Sequence, residues 1–205
     1  MKSTFRTIFL CFVLYNASAN TTFNITHHNI DTLPYAEIPN YPAQYTAESV
    51  IARLIDGIGF RFYWATEGLR PEDLAFRPTK ESRTSEETID HIMGLSTVVL
   101  NAVRNEVNTR SGEETSPLTF DTKRQKTLDN LKTASDILKS GKQKLEDSKM
   151  IFKNGDKSTE YPFWNEINGP ISDALWHIGQ VVTFRRSSGN PFNSKVSVLS
   201  GKVRQ

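Results

Sequence analysis

Asp173 stands immediately before the segment Ala174-Leu-Trp-His-Ile-Gly-Gln-Val-Val-Thr-Phe-Arg-Arg-Ser-Ser-Gly-Asn-Pro-Phe192, four residues ahead of His177. On a helix that spacing puts both side chains on one face, one above the other. A single helix then offers a carboxylate and an imidazole to one ion. His91, within Glu86-Glu-Thr-Ile-Asp-His-Ile92, supplies a second imidazole early in another candidate helix. Two imidazoles and a carboxylate suit a divalent metal with open positions for water and substrate, as zinc in hydrolases or iron in facial-triad oxygenases. The plainer reading makes the histidines half-buried hydrogen-bonding groups and Asp173 a partner of a helix N-terminus. Gln180, three residues beyond His177, can orient a ligand or bond a neighbouring helix. Arg185 and Arg186 can bind an anionic substrate, or complement the dipole at their helix's C-terminus.

Four amphipathic segments must position these groups. Thr46 caps the first, with Ile51, Leu54, Ile55, Ile58 and Phe62 at helical spacing up to about Gly68. Gly57 and Gly59 weaken its middle by about 1 kcal/mol each, or admit a close neighbour. Thr84 and Glu87 form a capping box for the second, whose core stripe is Ile89, Ile92, Val99 and Val103. Asp121 is expected to cap the third, through Leu128, Leu131, Ile137, Leu138 and Leu145. Its Lys, Asp and Gln content makes it an outer helix. Pro170 is expected as the first residue of the fourth, with Ile171, Leu175, Ile178 and Val182 on its buried side. Gly189 and Pro191 end it. The pattern predicts an all-α four-helix bundle over residues 45–191, with room for short strands in 147–166.

The ends are read differently. Residues 1–19 have a positive start, a short apolar run and an Ala17-Ser18-Ala19 cleavage site, the signature of a signal peptide. The apolar run is roughly half the ~20 residues a membrane span needs. Lipoprotein processing at Cys11 is disfavoured, because Leu10 precedes it and it lies inside the apolar run. The mature protein is therefore expected to be exported, periplasmic or secreted, without a membrane span. Residues 20–44, including His27, His28 and two glycosylation-type sequons, read as a flexible lead-in, and 192–205 as a frayed tail.

Cys11 is the chain's one cysteine, so cleavage removes disulfides and thiolate chemistry. Loss of Lys2 and Arg6 takes 25 basic residues to 23, against 23 acidic ones. A neutral chain lacks the field that phosphate backbones demand, so nucleic acid is not expected as a partner. A homodimer is compatible with the pattern.

From Tyr45 to Pro191 the chain resembles the DinB/YfiT-like superfamily of metal-dependent four-helix proteins. The resemblance rests on Trp64 with Leu69-Arg-Pro-Glu-Asp-Leu-Ala-Phe-Arg-Pro78, on Glu86-Glu-Thr-Ile-Asp-His-Ile92, and on His177-Ile-Gly-Gln180 with Arg185 or Arg186 and Gly189. His91 matches the family's helix-two histidine and His177 the final one of its helix-four pair. Asp173 stands where the other helix-four histidine is usual, and Ile178 replaces the arginine before Gly-Gln. A carboxylate in place of an imidazole shifts preference toward harder metals, or marks a member that has lost its metal.

The resemblance implies a divalent ion (zinc, nickel, iron or manganese) held by His91, Asp173 and His177. It implies a hydrolase or transferase acting on a small molecule, with Gln180 and Arg185 near the substrate. Export argues against a cytosolic thiol cosubstrate. The alternative is a non-catalytic binding or scaffold module of the same fold, with Tyr63, Trp64, Trp164 and Trp176 as core or partner-contact aromatics. Glu166 is the next candidate ligand should Asp173 fail, although Pro170 stands between them.

Overall fold

The structure is a computed structural model that describes residues 33–109 and 118–205. The expected signal peptide, its cleavage site, His27, His28 and the sequons lie outside the described residues.

Helix α1 (Ala47–Thr66) starts as expected. Thr46 Oγ1 accepts from the Ser49 amide, and Ser49 Oγ accepts from the Thr46 amide. Beyond it a short helix α2 (Pro71–Ala75) forms, with proline at its first turn. The Thr84–Glu87 capping box opens α3 (Ser85–Arg104), and Asn105 ends it in the left-handed conformation. Helix α4 (Phe120–Lys139) begins slightly earlier than expected. Thr119, not Asp121, is its cap, because the Thr119 hydroxyl accepts from the Thr122 amide.

The long helices pack in a ring: α1 on α4, α4 on α3, α3 on α6 (Ser172–Ser187), and α6 back on α1. Ile55, Ile58, Phe62, Ile89, Ile92, Leu128, Leu131, Ile171 and Ile178 fill the centre. Leu54 and Leu175, expected inside, are exposed at 38% and 39%. Ala174 and Val181 take the inward positions of α6, since the inner stripe runs Ile171, Ala174, Ile178, Val181.

The expectation of an all-α protein is corrected. The protein is mostly helical with a small sheet. Strand β1 (Val107–Thr109) runs parallel to β2 (Lys149–Asn154), and β2 pairs antiparallel with β3 (Lys157–Pro162). The β2–β3 turn places Gly155 first among its two central residues with φ +58°, the sign that a type II′ hairpin requires.

Pro170 does not start the last helix. The chain is already helical from α5 (Phe163–Glu166), passes through a π-helical turn at Ile167–Ile171, and continues into α6. An α-helical proline would clash with the carbonyl four residues back and leave it without a donor. The wider π-turn relieves that crowding, and Ser172 Oγ donates to the Ile167 carbonyl at 2.6 Å.

The described part of the lead-in is not loose. Tyr35 is buried and donates to Asp56 Oδ1, while Trp64 Nε1 donates to the Ala36 carbonyl. Gly59 is the close-approach glycine: a Cβ there would lie 2.4 Å from the Tyr35 ring. The tail is also ordered. Strands β4 (Val196–Ser197) and β5 (Lys202–Val203) form a small hairpin, and the Ile38 amide donates to the Gly201 carbonyl. Among the described residues no helix is long and apolar enough to cross a membrane.

Candidate metal centre

The ring of helices brings the second turn of α3 against the first turn of α6. His91 Nε2 lies 3.1 Å from Asp173 Oδ2, and His177 Nε2 lies 3.3 Å from Asp173 Oδ1. One carboxylate therefore faces two imidazoles at once. The rings stand edge to face with centroids 4.7 Å apart. One donor atom from each residue falls within 4.8 Å of the other two, a spread from which one ion could be held. His177 is the least exposed of the three side chains, at 16%, against 33% for His91 and 37% for Asp173. The group is thus anchored from the protein side and open on the other.

The position of Gln180 gives the centre its polarity. His177 Nδ1 and Gln180 Oε1 are 2.7 Å apart, on successive turns of α6. A carbonyl oxygen only accepts, so Nδ1 carries the proton. In the neutral ring Nε2 then presents a lone pair toward Asp173 Oδ1. Two acceptors at that separation need a positive group between or beside them, either a second ring proton or a cation. The donor set fits a divalent ion: two imidazoles, one carboxylate, and a neighbouring group that fixes a tautomer, as ligating histidines commonly have. Gln180 thus bonds within its own helix and not across to a neighbouring one.

Arg185 is placed elsewhere, and its expected contact with an anionic substrate is corrected. It is 4% exposed and its donors are spent on the protein. Nη1 donates to the carbonyls of Trp64, Ala65 and Glu67, and Nε donates to the Asn190 carbonyl. Arg185 therefore closes the C-terminus of α1, not that of its own helix. The Leu69-Arg-Pro-Glu-Asp stretch serves the same corner. Buried Asp73 accepts from Arg70, Ser188 and Asn190, and these bonds, Arg70 foremost, hold its carboxyl well below the usual carboxylate range. Arg186 is exposed.

Glu166 also falls outside the donor group. In an unbroken α-helix, seven residues would return it to the face of Asp173. The π-turn adds a residue's worth of rotation and carries it to the inner stripe, where it is fully buried. Neither carboxyl oxygen has a hydrogen-bond partner among the described residues, and burial pushes its pKa up to about 8. Sequence periodicity could not find this, because the π-turn changes the period. Trp164 and Trp176 are exposed at 76% and 73%, so neither is a core aromatic.

Comparison with protein families, curated proteins and solved structures finds no match.

Proposed function

We propose that the protein is an exported, divalent-metal-dependent hydrolase or transferase acting on a small molecule, built as a four-helix bundle of the DinB/YfiT type. The observation that carries this reading is the convergence of His91 Nε2, Asp173 and His177 Nε2 within 4.8 Å, with the His177 tautomer fixed by Gln180. A divalent ion held there supplies Lewis-acid chemistry, polarising a substrate oxygen and acidifying water at neutral pH.

The chain's own residues set the rest. His177, the most enclosed donor, and Asp173 come from one rigid helix, so their spacing survives any loop motion. His91 approaches from α3, and the part-exposed side of the group leaves room for substrate. Of the metals considered, the mixed imidazole and carboxylate set suits zinc, iron or manganese; nickel would favour more nitrogen.

The second reading is a non-catalytic module. Its support is that the Asp173 carboxylate bridges both imidazoles directly, which by itself clamps α3 to α6. Elemental analysis after reconstitution separates the two. A stoichiometric divalent ion in the wild type, lost in His177→Ala with helical content retained, is the result expected of the metal protein. A wild type that takes up no transition metal leaves the clamp.

A further inference from the structure

The outward side of α1 carries a second stripe. Val50, Arg53, Leu54, Gly57, Arg61 and Trp64 follow i, i+3, i+4, i+7, i+11 and i+14, so they share one side of the helix. An open groove of about 300 Å³ borders this stripe, and Ile38, Leu175 of α6, Val198 and Leu199 help to line it. Val198 and Leu199 form the tip of the β4–β5 hairpin. That tip is pinned: the Ile38 amide donates to the Gly201 carbonyl at 2.9 Å, and a Cβ on Gly201 would lie 2.7 Å from the Ile38 side chain. Leu199 is 94% exposed in this fixed position. A neighbouring hollow shares Arg53 and is lined by Tyr41, Tyr45 and Val50, with Tyr45 99% exposed. Large apolar side chains this exposed and this close together mark an interaction surface, not the ordinary scatter of single residues.

Among the described residues lining the two hollows, the charged side chains are Arg53 and Arg61. Arg53 Nη1 donates to the Pro39 carbonyl, and its guanidinium lies over the Tyr41 ring. Arg61 Nη1 donates to the Gly57 carbonyl at 2.9 Å. A Cβ on Gly57 would lie 3.1 Å from the same nitrogen, so the glycine makes room for the guanidinium. Arg61 is half-buried, and among the described residues no carboxylate offsets its charge. The acids at the border are balanced elsewhere: Glu37, beside Ile38, is 3.7 Å from Lys202, and Glu48, two residues before Val50, is 3.8 Å from Lys144. The face is therefore apolar and cationic. A second copy fits it poorly, because a two-fold contact would set arginine against arginine.

We propose that this face docks the protein on an anionic lipid bilayer. Val198 and Leu199 enter the acyl boundary, and Tyr41 and Tyr45 lie at headgroup level, where amphipathic rings settle. Arg53 and Arg61 meet lipid phosphates. Among the described residues no helix is long and apolar enough to cross a membrane, so the association is peripheral. Docking does not require the metal. Leu175 and His177 are two residues apart, about 200° around α6, so the His91–Asp173–His177 centre is turned away from the bilayer.

The test is co-sedimentation of the full chain with vesicles of phosphatidylglycerol and phosphatidylcholine in equal parts, compared with vesicles of phosphatidylcholine alone. Wild type should bind the anionic vesicles about tenfold more tightly or better, and high salt should weaken that binding. The double variant R53Q/R61Q should bind them about 25-fold more weakly, since each cation near an anionic surface contributes about fivefold. Leu199→Ser, at so exposed a position, should leave the fold intact and cost about tenfold in vesicle affinity. Amide hydrogen exchange at residues 196–203 should slow when the anionic vesicles are added, which reads this face apart from the rest of the chain. Equal binding to the two vesicles, equal binding by wild type and Leu199→Ser, or unchanged exchange at 196–203 overturns the proposal. Self-association that Leu199→Ser abolishes, without vesicle binding, gives the face to a second copy. Retention on polyglutamate without vesicle binding gives it to an acidic protein. Either result overturns the bilayer as its occupant.

Discussion

Gln180 Oε1 accepts a 2.7 Å hydrogen bond from His177 Nδ1, and that bond decides which ring nitrogen faces Asp173. Without it the imidazole can rotate or exchange tautomers, and Nε2 need not present a lone pair. Gln180→Leu should therefore weaken divalent-metal affinity about 10- to 100-fold, the usual cost of losing such a supporting group. Gln180→Glu retains an acceptor and should restore most of the affinity. Competition titration against a chromogenic chelator measures both. Equal affinity in Gln180→Leu and wild type would remove Gln180 from the centre.

Asp173 touches both imidazoles, so its replacement tests the whole arrangement. Asp173→Ala should reduce metal occupancy while leaving the far-UV helical signal intact. Asp173→His should recover occupancy and shift preference toward zinc or nickel, because imidazole replaces a harder carboxylate. Metal content by elemental analysis, with equimolar zinc, nickel and manganese offered together, reads the shift. Occupancy unchanged in Asp173→Ala would place the third ligand elsewhere.

Glu166 makes stability depend on pH in a definite direction. Its folded-state pKa is raised to about 8 by burial. In the unfolded chain it ionises near its ordinary value, so between about pH 4.5 and 8 the folded state holds the extra proton. Stability should then fall as pH rises through that window, by up to about 1.4 kcal/mol per pH unit from this group, and level off above it. Glu166→Gln should remove this component. Urea unfolding of both proteins at pH 5, 6, 7 and 8 checks it; parallel profiles would show that Glu166 does not carry the dependence.

Arg185 is a structural link, and its loss should be felt as stability. Arg185→Met would leave the carbonyls of Trp64, Ala65 and Glu67 without their donor in a buried corner. The expected cost is about 3 kcal/mol, with unchanged metal content in the fraction that remains folded. Urea midpoint and elemental analysis together separate this from a ligand role, which would spare stability and alter binding.

The close contact of Gly59 with Tyr35 gives an equally local test. Gly59→Ala should destabilise the protein despite the higher helix propensity of alanine, because its methyl would meet the Tyr35 ring at 2.4 Å. An alanine that stabilises would mean that residues 33–39 do not hold this position in solution.

The sequence determined what depends on neighbours along the chain. The Thr46 and Thr84 caps, the inner stripe of α3, and the Asp173–His177 spacing are set within one or two turns, so side-chain periodicity and capping chemistry suffice to read them. Tertiary structure decided the rest. His91 meets Asp173 across 82 residues only because α3 packs on α6, and β1 joins β2 only after α4 has intervened. Arg185 reaches the end of α1 through the same packing, a destination invisible in its own helix. Pro170 was readable as a helix start because local rules allow that position. What overruled them was the burial of Phe163 in the same apolar core as Ile171, met by a π-turn that keeps the helix continuous around the proline and carries Glu166 inside at a cost.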